Sequence, residues 1–303
     1  MSKTCGLFDL MLRVWHMPFM KRLILAVGRV IPDDAYIKII FKGKLGYSID
    51  LKNPKTFNEK LNWCKLYNRN PLYTKLADKY SVKQIVADKI GRQYVVKNLG
   101  VWQHFDEIDF EKLPNRFVLK CTHDSSGVIV CKDLATFDYK AAREKLEFSL
   151  KMNYFYACRE WPYKNIPPLI IADELLDDQT GKELQDYKFW CFNGEPKIMY
   201  ITNKGAKVEE NFYDMDFNIL SINHGFPRTK PEYQRPKEFE LMKELAAKLS
   251  VGIPFVRVDF FDVNGRVYFG EFTFFDWAGL GRFSDIKTDE YLGKLITLPQ
   301  KTR

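Results

Sequence analysis

Two Asn-Gly pairs, Asn193-Gly194 and Asn264-Gly265, constrain this chain most. Each lies between runs in which apolar and polar residues alternate, the pattern of an antiparallel hairpin closed by a tight turn. The first hairpin has arms Asp186 to Phe192 and Glu195 to Thr202, and the second runs from Val256 to Thr273. Segments with helical periodicity separate the strand pairs. Paired antiparallel strands with helices between them imply an α+β fold, with helices packed on sheet faces.

The second hairpin carries the chemistry. A bare two-residue loop puts Asp259 and Glu271 on opposite faces. A three-residue loop, Val263-Asn264-Gly265, sets Arg257 opposite Glu271. Val256, Val258, Phe260, Tyr268 and Phe272 then share one face, and Arg257, Asp259, Glu271 and Thr273 the other. Burial of one face fixes register, so the three-residue loop is expected. Two neighbouring carboxylates repel unless a cation sits between them, and oxygen-only ligands of this kind suit Mg²⁺ held against phosphates. A solvated polar face is the competing reading.

The chain has 303 residues, of which 46% are hydrophobic and 28% charged, so it is globular and long enough for two domains. A net charge of +8 favours anionic partners. No nucleic-acid motif accompanies it, and the lysines are spread along the chain, which argues against nucleic acid. The 6 cysteines show no CxxC spacing and the 4 histidines no metal-ligand pattern, as expected of reduced thiols in a cytosolic protein. No run of about 18 uncharged apolar residues is present, so no transmembrane helix is expected. Near the start, Arg13, Lys21, Arg22 and Arg29 interleave with apolar residues, while Asp9 and Pro18 break any cleavable-signal layout. That segment fits either an interfacial amphipathic helix or a helix packed on the core.

Thr56 and Glu59 form a capping box that opens a helix with Phe57, Leu61 and Cys64 as its buried stripe. A helix is expected near Leu76 to Ile90, stopped by Gly91, and a short strand at Tyr94 to Val96. Another helix is expected from Tyr139 to Leu150, a strand from Leu169 to Leu176, and a helix carrying Phe239, Met242, Leu245, Ala246 and Leu249.

Lys120 ends an apolar run and precedes the small-residue loop Thr122 to Gly127. A lysine at a strand end, beside the exposed N–H groups of such a loop, can hold phosphate oxygens. A hairpin loop with a neighbouring surface lysine is the plainer alternative. Walker A and GxGxxG signatures are absent. Asp186 and Lys188 alternate with aromatic residues and so share a face, for ligand binding or for a salt bridge. His123 and Asp124 have no serine or cysteine in a nucleophile elbow beside them.

Longer stretches carry a resemblance. Asn53-Pro-Lys-Thr-Phe-Asn-Glu-Lys60, the run from Tyr67 to Tyr80, Phe105-Asp-Glu-Ile-Asp-Phe110, Leu119-Lys-Cys-Thr-His-Asp124, Arg159-Glu-Trp-Pro-Tyr163 and the run from Tyr187 to Pro196 resemble the TupA-like ATP-grasp family. The resemblance covers about residues 40 to 300. It implies an ATP-grasp fold: two antiparallel-sheet subdomains clamping ATP, at residues 113–175 and 176–303. A mainly helical region at 51–112 and an amphipathic segment at 1–50 would precede them.

For the site, the resemblance implies that Lys79, Lys120 and Lys188 contact phosphates. Ser125, Ser126 and Gly127 would cover them, with Ser126 where relatives often carry glycine. Asp173, Glu174, Leu175 and Leu176 would form the adenine hinge, and Asp186 would approach the ribose. Asp259 and Glu271 would bind Mg²⁺, with Thr273 where many such ligases place asparagine, and Arg257 would stabilise an acyl-phosphate.

That family is named for teichuronopeptide biosynthesis and is found in bacterial capsule and surface-polysaccharide loci. The implied activity is an ATP-dependent carboxylate–amine ligase. Its partners would be a small-molecule or glycan carboxylate and an amine donor, at the cytoplasmic side with a peripheral membrane contact open to the N-terminus. An ATP-grasp kinase and a capsule glycosyltransferase are the alternatives. The latter has only Asp214-Met-Asp216 as a DxD candidate.

Overall fold

The structure, a computed structural model, describes residues 28–125, 127–180, 184–203, 208–230 and 232–302. The expectations for Ser126 and for the N-terminal segment before Gly28 lie outside the described residues.

Helix α1 (Asp33–Leu45) precedes α2 (Phe57–Tyr67), which starts at the expected capping box. Glu59 N–H donates to Thr56 Oγ1 at 3.2 Å, and Thr56 N–H returns to Glu59 Oε2 at 3.1 Å. The helix expected near Leu76 to Ile90 is in fact two, α3 (Leu72–Ala77) and α4 (Ser81–Ile90). The break is at Asp78, whose carboxylate accepts from Tyr80 N–H at 2.9 Å and Ser81 Oγ at 2.5 Å. A short acidic side chain that bonds nearby backbone competes with helix continuation. Tyr94 closes a 3₁₀ turn and Val95 and Val96 form no strand; β1 (Asn98–Trp102) begins two residues later.

The first sheet has four antiparallel strands in the order β1-β4-β2-β3, with β2 (Phe117–Cys121), β3 (Val128–Cys131) and β4 (Ile170–Glu174). Its core joins Phe117, Leu119, Cys121, Ile170 and Ala172 to Ala142 and Leu146 of helix α5 (Tyr139–Leu150). Alternation therefore turns Val118 and Lys120 to the opposite face. A short helix α6 (Phe155–Cys158) leads back towards α2.

The second sheet has six antiparallel strands in the order β10-β9-β5-β6-β7-β8. They are β5 (Asp186–Phe192), β6 (Glu195–Asn203), β7 (Glu209–Tyr213), β8 (Ile219–Leu220), β9 (Phe255–Val263) and β10 (Arg266–Thr273). Helix α7 (Phe239–Ser250) joins its Met242, Leu245, Ala246 and Leu249 to Phe189, Cys191, Val256, Val258 and Phe260 in one core. The other face of β5 and β9 carries Asp186, Lys188, Trp190, Arg257 and Asp259, with Lys188 directly across from Asp259 and Trp190 from Arg257. Helix α8 (Ile286–Leu295) packs on α2, where Asp289 accepts from Asn58 N–H at 3.0 Å. Among the described residues no helix is long and apolar enough to cross a membrane.

The turn of the second hairpin corrects the sequence reading. Val263 pairs with Arg266, so the loop is the two residues Asn264 and Gly265, with φ of 56° and 81°. Those angles belong to a type I′ turn, whose twist matches the strands. The extra residue enters instead at a β-bulge between Phe269 and Phe272, and Arg257 pairs with Thr273, not with Glu271. Phe269, not Tyr268, then stands across from Phe260. Burial of Val258 and Phe272 on one face is satisfied either way. The bulge places Gly270 and Glu271 together opposite Asp259.

Candidate functional site

A cleft of about 480 Å³ lies between the two sheets, floored by α3 and α4. β2 and β4 supply Val118, Lys120, Asp173 and Glu174 to one wall; β5, β9 and β10 supply Asp186, Lys188, Arg257, Asp259 and Glu271 to the other. Leu175, Leu176 and Ser125 line it too, as does Lys79 from the break between α3 and α4. The structure thus brings together every expected site residue it describes except Gly127 and Thr273.

Those two sit just behind the lining. Gly127 N–H donates to Asp124 Oδ1 at 3.0 Å, and a Cβ there would meet Ser149 Oγ at 2.7 Å. Thr273 Oγ1 donates to Glu271 Oε1 at 3.1 Å.

Arg257 is the hub of the second wall. Nε and Nη2 donate to the two oxygens of Asp259 at 2.7 and 2.8 Å, and Nη2 also to Glu271 Oε1 at 2.8 Å. Nη1 donates to Asp276 Oδ1 at 2.5 Å and to Tyr200 OH at 3.2 Å. These contacts use all five guanidinium donors. The cation that the paired carboxylates require is therefore a protein side chain. Burial opposes the charge of Arg257, but Asp259, Tyr200, Asp276 and Glu271 outweigh it and hold the guanidinium above its ordinary pKa. Burial pushes the Asp259 carboxyl up to about 6, with Arg257 and Lys188 pulling the other way.

Lys188 Nζ lies 2.7 Å from Asp186 Oδ2 and 3.9 Å from Asp259 Oδ2. Across the cleft, buried Asp173 pairs with Lys120 and with Lys83, each at 3.1 Å. Burial lowers the pKa of Lys83 against the pull of Asp173. Burial lowers that of Lys79 as well, against Glu271 and Asp124, and its Nζ donates to the Asp124 carbonyl.

The side chains expected to hold a metal, Asp259, Glu271 and Thr273, offer oxygen donors only. Among the described residues no group of three or more His, Cys, Asp or Glu completes a protein-only cage. One or two carboxylates, with the remaining positions left to water and phosphate oxygens, fit Mg²⁺. The DxD candidate is otherwise engaged: Asp214 Oδ1 caps its own turn, accepting from Asp216 N–H at 2.9 Å and Asn218 N–H at 2.8 Å.

Sequence reasoning missed Lys83 and Asp276. Lys83 follows Lys79 at i+4, a spacing that could have nominated it within the helix expected near Leu76 to Ile90. Asp276 is 1% exposed, accepting from Trp190 Nε1 at 2.8 Å as well as from Arg257. An acid inside Phe274-Phe275-Asp276-Trp277 was a signal, since a charge in an aromatic run needs a partner.

Solved structures similar to this chain are distant. The ATP-grasp ligase PsnB, complexed with minimal precursor, Mg and ADP, is 13% identical over 71% of this chain and 57% of its own, with a TM-score of 0.39. A D-alanine–D-alanine ligase from Helicobacter pylori is 15% identical over 80% and 69%, with a TM-score of 0.44. A RimK domain ATP-grasp protein from Sphaerobacter thermophilus is 12% identical over 76% and 69%, with a TM-score of 0.41. The chain spans under two thirds of the length of PsnB. No curated protein matches it. The model of one family, TupA-like ATP-grasp, matches residues 59–297, and the chain belongs to that family.

Proposed function

We propose that this chain is an ATP-dependent carboxylate–amine ligase that forms an amide through an acyl-phosphate. The observation that carries the reading is the cleft itself. Lys120, Lys188 and Arg257 converge on it from both sheets and Lys79 from the break between α3 and α4, and Asp259 and Glu271 stand beside one another on its second wall.

Val118, Leu175 and Leu176 offer apolar surface for a base. Lys120 of β2 and Lys188 of β5, both lining the cleft, would hold phosphate oxygens, with Lys79 at the floor. Asp259, Glu271 and Thr273 would hold Mg²⁺, which when bound neutralises charge between the β- and γ-phosphates. A substrate carboxylate oxygen attacks the γ-phosphorus, the bond to the bridging oxygen breaks, and ADP leaves. The amine nitrogen then attacks the acyl carbon, the C–O bond to phosphate breaks, and the amine loses a proton. Arg257 would stabilise negative charge on the acyl-phosphate. All its donors are engaged, so one must be released. Glu271, with 47% of its side chain exposed against 1% for Asp276, is the partner placed to turn away.

The acceptor we favour is a uronic acid or an acidic residue of a bacterial surface polysaccharide precursor, with an amino acid or small amine as donor. The family's name and the net charge of +8 support it. The enzyme would work at the inner face of the membrane.

A thermal-shift comparison of Mg-ATP with sugar nucleotides, followed by ADP release across uronic acids and amines, tests this reading. Stabilisation by Mg-ATP and ADP release that requires both a carboxylate and an amine are expected. Stabilisation by sugar nucleotides alone, or ADP release with a hydroxyl acceptor and no amine, would overturn it.

A further inference from the structure

One face of α2 carries Asn58, Asn62 and Lys65, spaced i, i+4 and i+7, and all three are at most 1% exposed. Polar side chains so deep in a protein must find partners. Their partners include three backbone carbonyls just beyond Asp276. Lys65 Nζ donates to Ala278 O at 2.6 Å, to Cys158 O at 2.8 Å and to Asn62 Oδ1 at 3.1 Å. Asn62 Nδ2 donates to Gly279 O at 2.6 Å, and Asn58 Nδ2 to Gly281 O at 2.9 Å.

The turn they hold is strained. Trp277, Ala278 and Gly279 are all left-handed, with φ of 49°, 55° and 59°. Two of the three have side chains, and a residue with a side chain keeps this conformation only where its surroundings over-determine it. At the head of this turn stands Asp276, which fixes the guanidinium of Arg257 from behind.

We propose that Lys65 and Asn62 are positioning residues for Arg257. They hold the left-handed turn in register, the turn aims the carboxylate of Asp276, and Asp276 aims Arg257 at the phosphoryl group. The proposal rests on the ligase reading of the cleft. A small misplacement of an oriented group is enough to lose catalysis while substrate binding survives. Filling the space with apolar side chains would satisfy the core equally well. A fully buried ammonium aimed at three oxygens is instead a device for fixing direction.

The test compares binding of MgADP with binding of MgADP–tetrafluoroaluminate, a mimic of the transferring phosphoryl group, by calorimetry on the full chain. Wild type should prefer the fluoroaluminate complex. Lys65→Met should keep MgADP affinity within about threefold and lose roughly tenfold or more of that preference. Adding Ala278→Gly, which relieves strain at a left-handed position, should restore part of it. Asn62→Ala should act like Lys65→Met, and decides alone if the latter does not fold. A wild-type preference that survives in the folded variants refutes the positioning role and leaves the ligase reading standing. A wild type with no preference refutes the phosphoryl-transfer reading, and the proposal with it.

Discussion

Arg257 and Asp259, two positions apart on β9, meet as a bidentate pair, with Nε to Oδ1 at 2.7 Å and Nη2 to Oδ2 at 2.8 Å. Residues i and i+2 of a strand share a face but do not ordinarily touch so closely. Here the long guanidinium lies along the strand, and the carboxylate is shielded enough for burial to push it up to about 6. Arg257 thus pulls against the burial that favours the protonated form of Asp259.

Asp259→Asn should therefore act twice. It removes one arm of the fork, at a cost of about 1–3 kcal/mol in urea unfolding, since Arg257 keeps Asp276 and Glu271. It should also abolish the Mg²⁺ dependence of ATP binding in a thermal-shift titration. A variant that is less stable but still needs Mg²⁺ for ATP would contradict the assignment of Asp259 as a metal ligand.

The bulge supplies the second prediction. A Cβ on Gly270 would come within 3.1 Å of Asp259 O and 3.3 Å of Asp259 Cβ. Gly270→Ala must shift the strand that presents Glu271, costing about 1–3 kcal/mol as overpacking does. Mg-ATP should stabilise this variant less than wild type even where both are folded. Equal stabilisation would show that Glu271 can reach its place without the bulge.

Much of this site was legible because strand periodicity is strict. Once the Asn-Gly turns were found, Asp186 and Lys188 had to share a face, and so did Arg257 and Asp259. Glu271 was grouped with them through a loop that is one residue too long, because a turn residue and a bulge residue shift register identically and only the backbone tells them apart. Lys83 and Asp276 carry local signals, an i+4 spacing and an acid in an aromatic run, but their partners were not legible: Asp173 and Arg257 stand 90 and 19 positions away in the chain, and nothing local in a sequence announces such a pairing. The break between α3 and α4 escaped for a different reason: the apolar spacing runs on through Asp78, and only its side-chain bonds end the helix.

Asp276→Asn tests the support behind Arg257. The carboxylate accepts from Arg257, from the Trp190 indole at 2.8 Å and from the Tyr200 hydroxyl at 3.2 Å. Removing the charge from a buried ion pair costs on the order of 3–5 kcal/mol. Asparagine can still accept from the indole, so fluorescence of the folded variant should change little while urea stability falls. A stability change within about 0.5 kcal/mol, the range of an ordinary surface substitution, would mean that Arg257 does not need this partner.

Glu210 predicts a pH effect of opposite sign to a salt-bridged acid. It stands across from Thr202 on the sheet, is 4% exposed, and its Oε2 has no hydrogen-bond partner among the described residues. Burial, then the field of Asp276, pushes its carboxyl from 4.5 to about 7, while Thr202, Lys188 and Arg257 pull the other way. The folded state therefore binds this proton more tightly than the unfolded state. The stability it lends is full below pH 4.5 and is lost as pH rises through about 7. Glutamine imitates the protonated form at every pH. Each tenfold difference in proton affinity between the folded and unfolded chain is worth about 1.4 kcal/mol. Glu210→Gln should therefore be more stable than wild type at about pH 8, by up to roughly 3 kcal/mol, and indistinguishable from it near pH 4. Urea unfolding of both proteins at the two pH values measures it. A glutamine variant less stable than wild type at about pH 8 would mean that the folded chain holds Glu210 as a carboxylate.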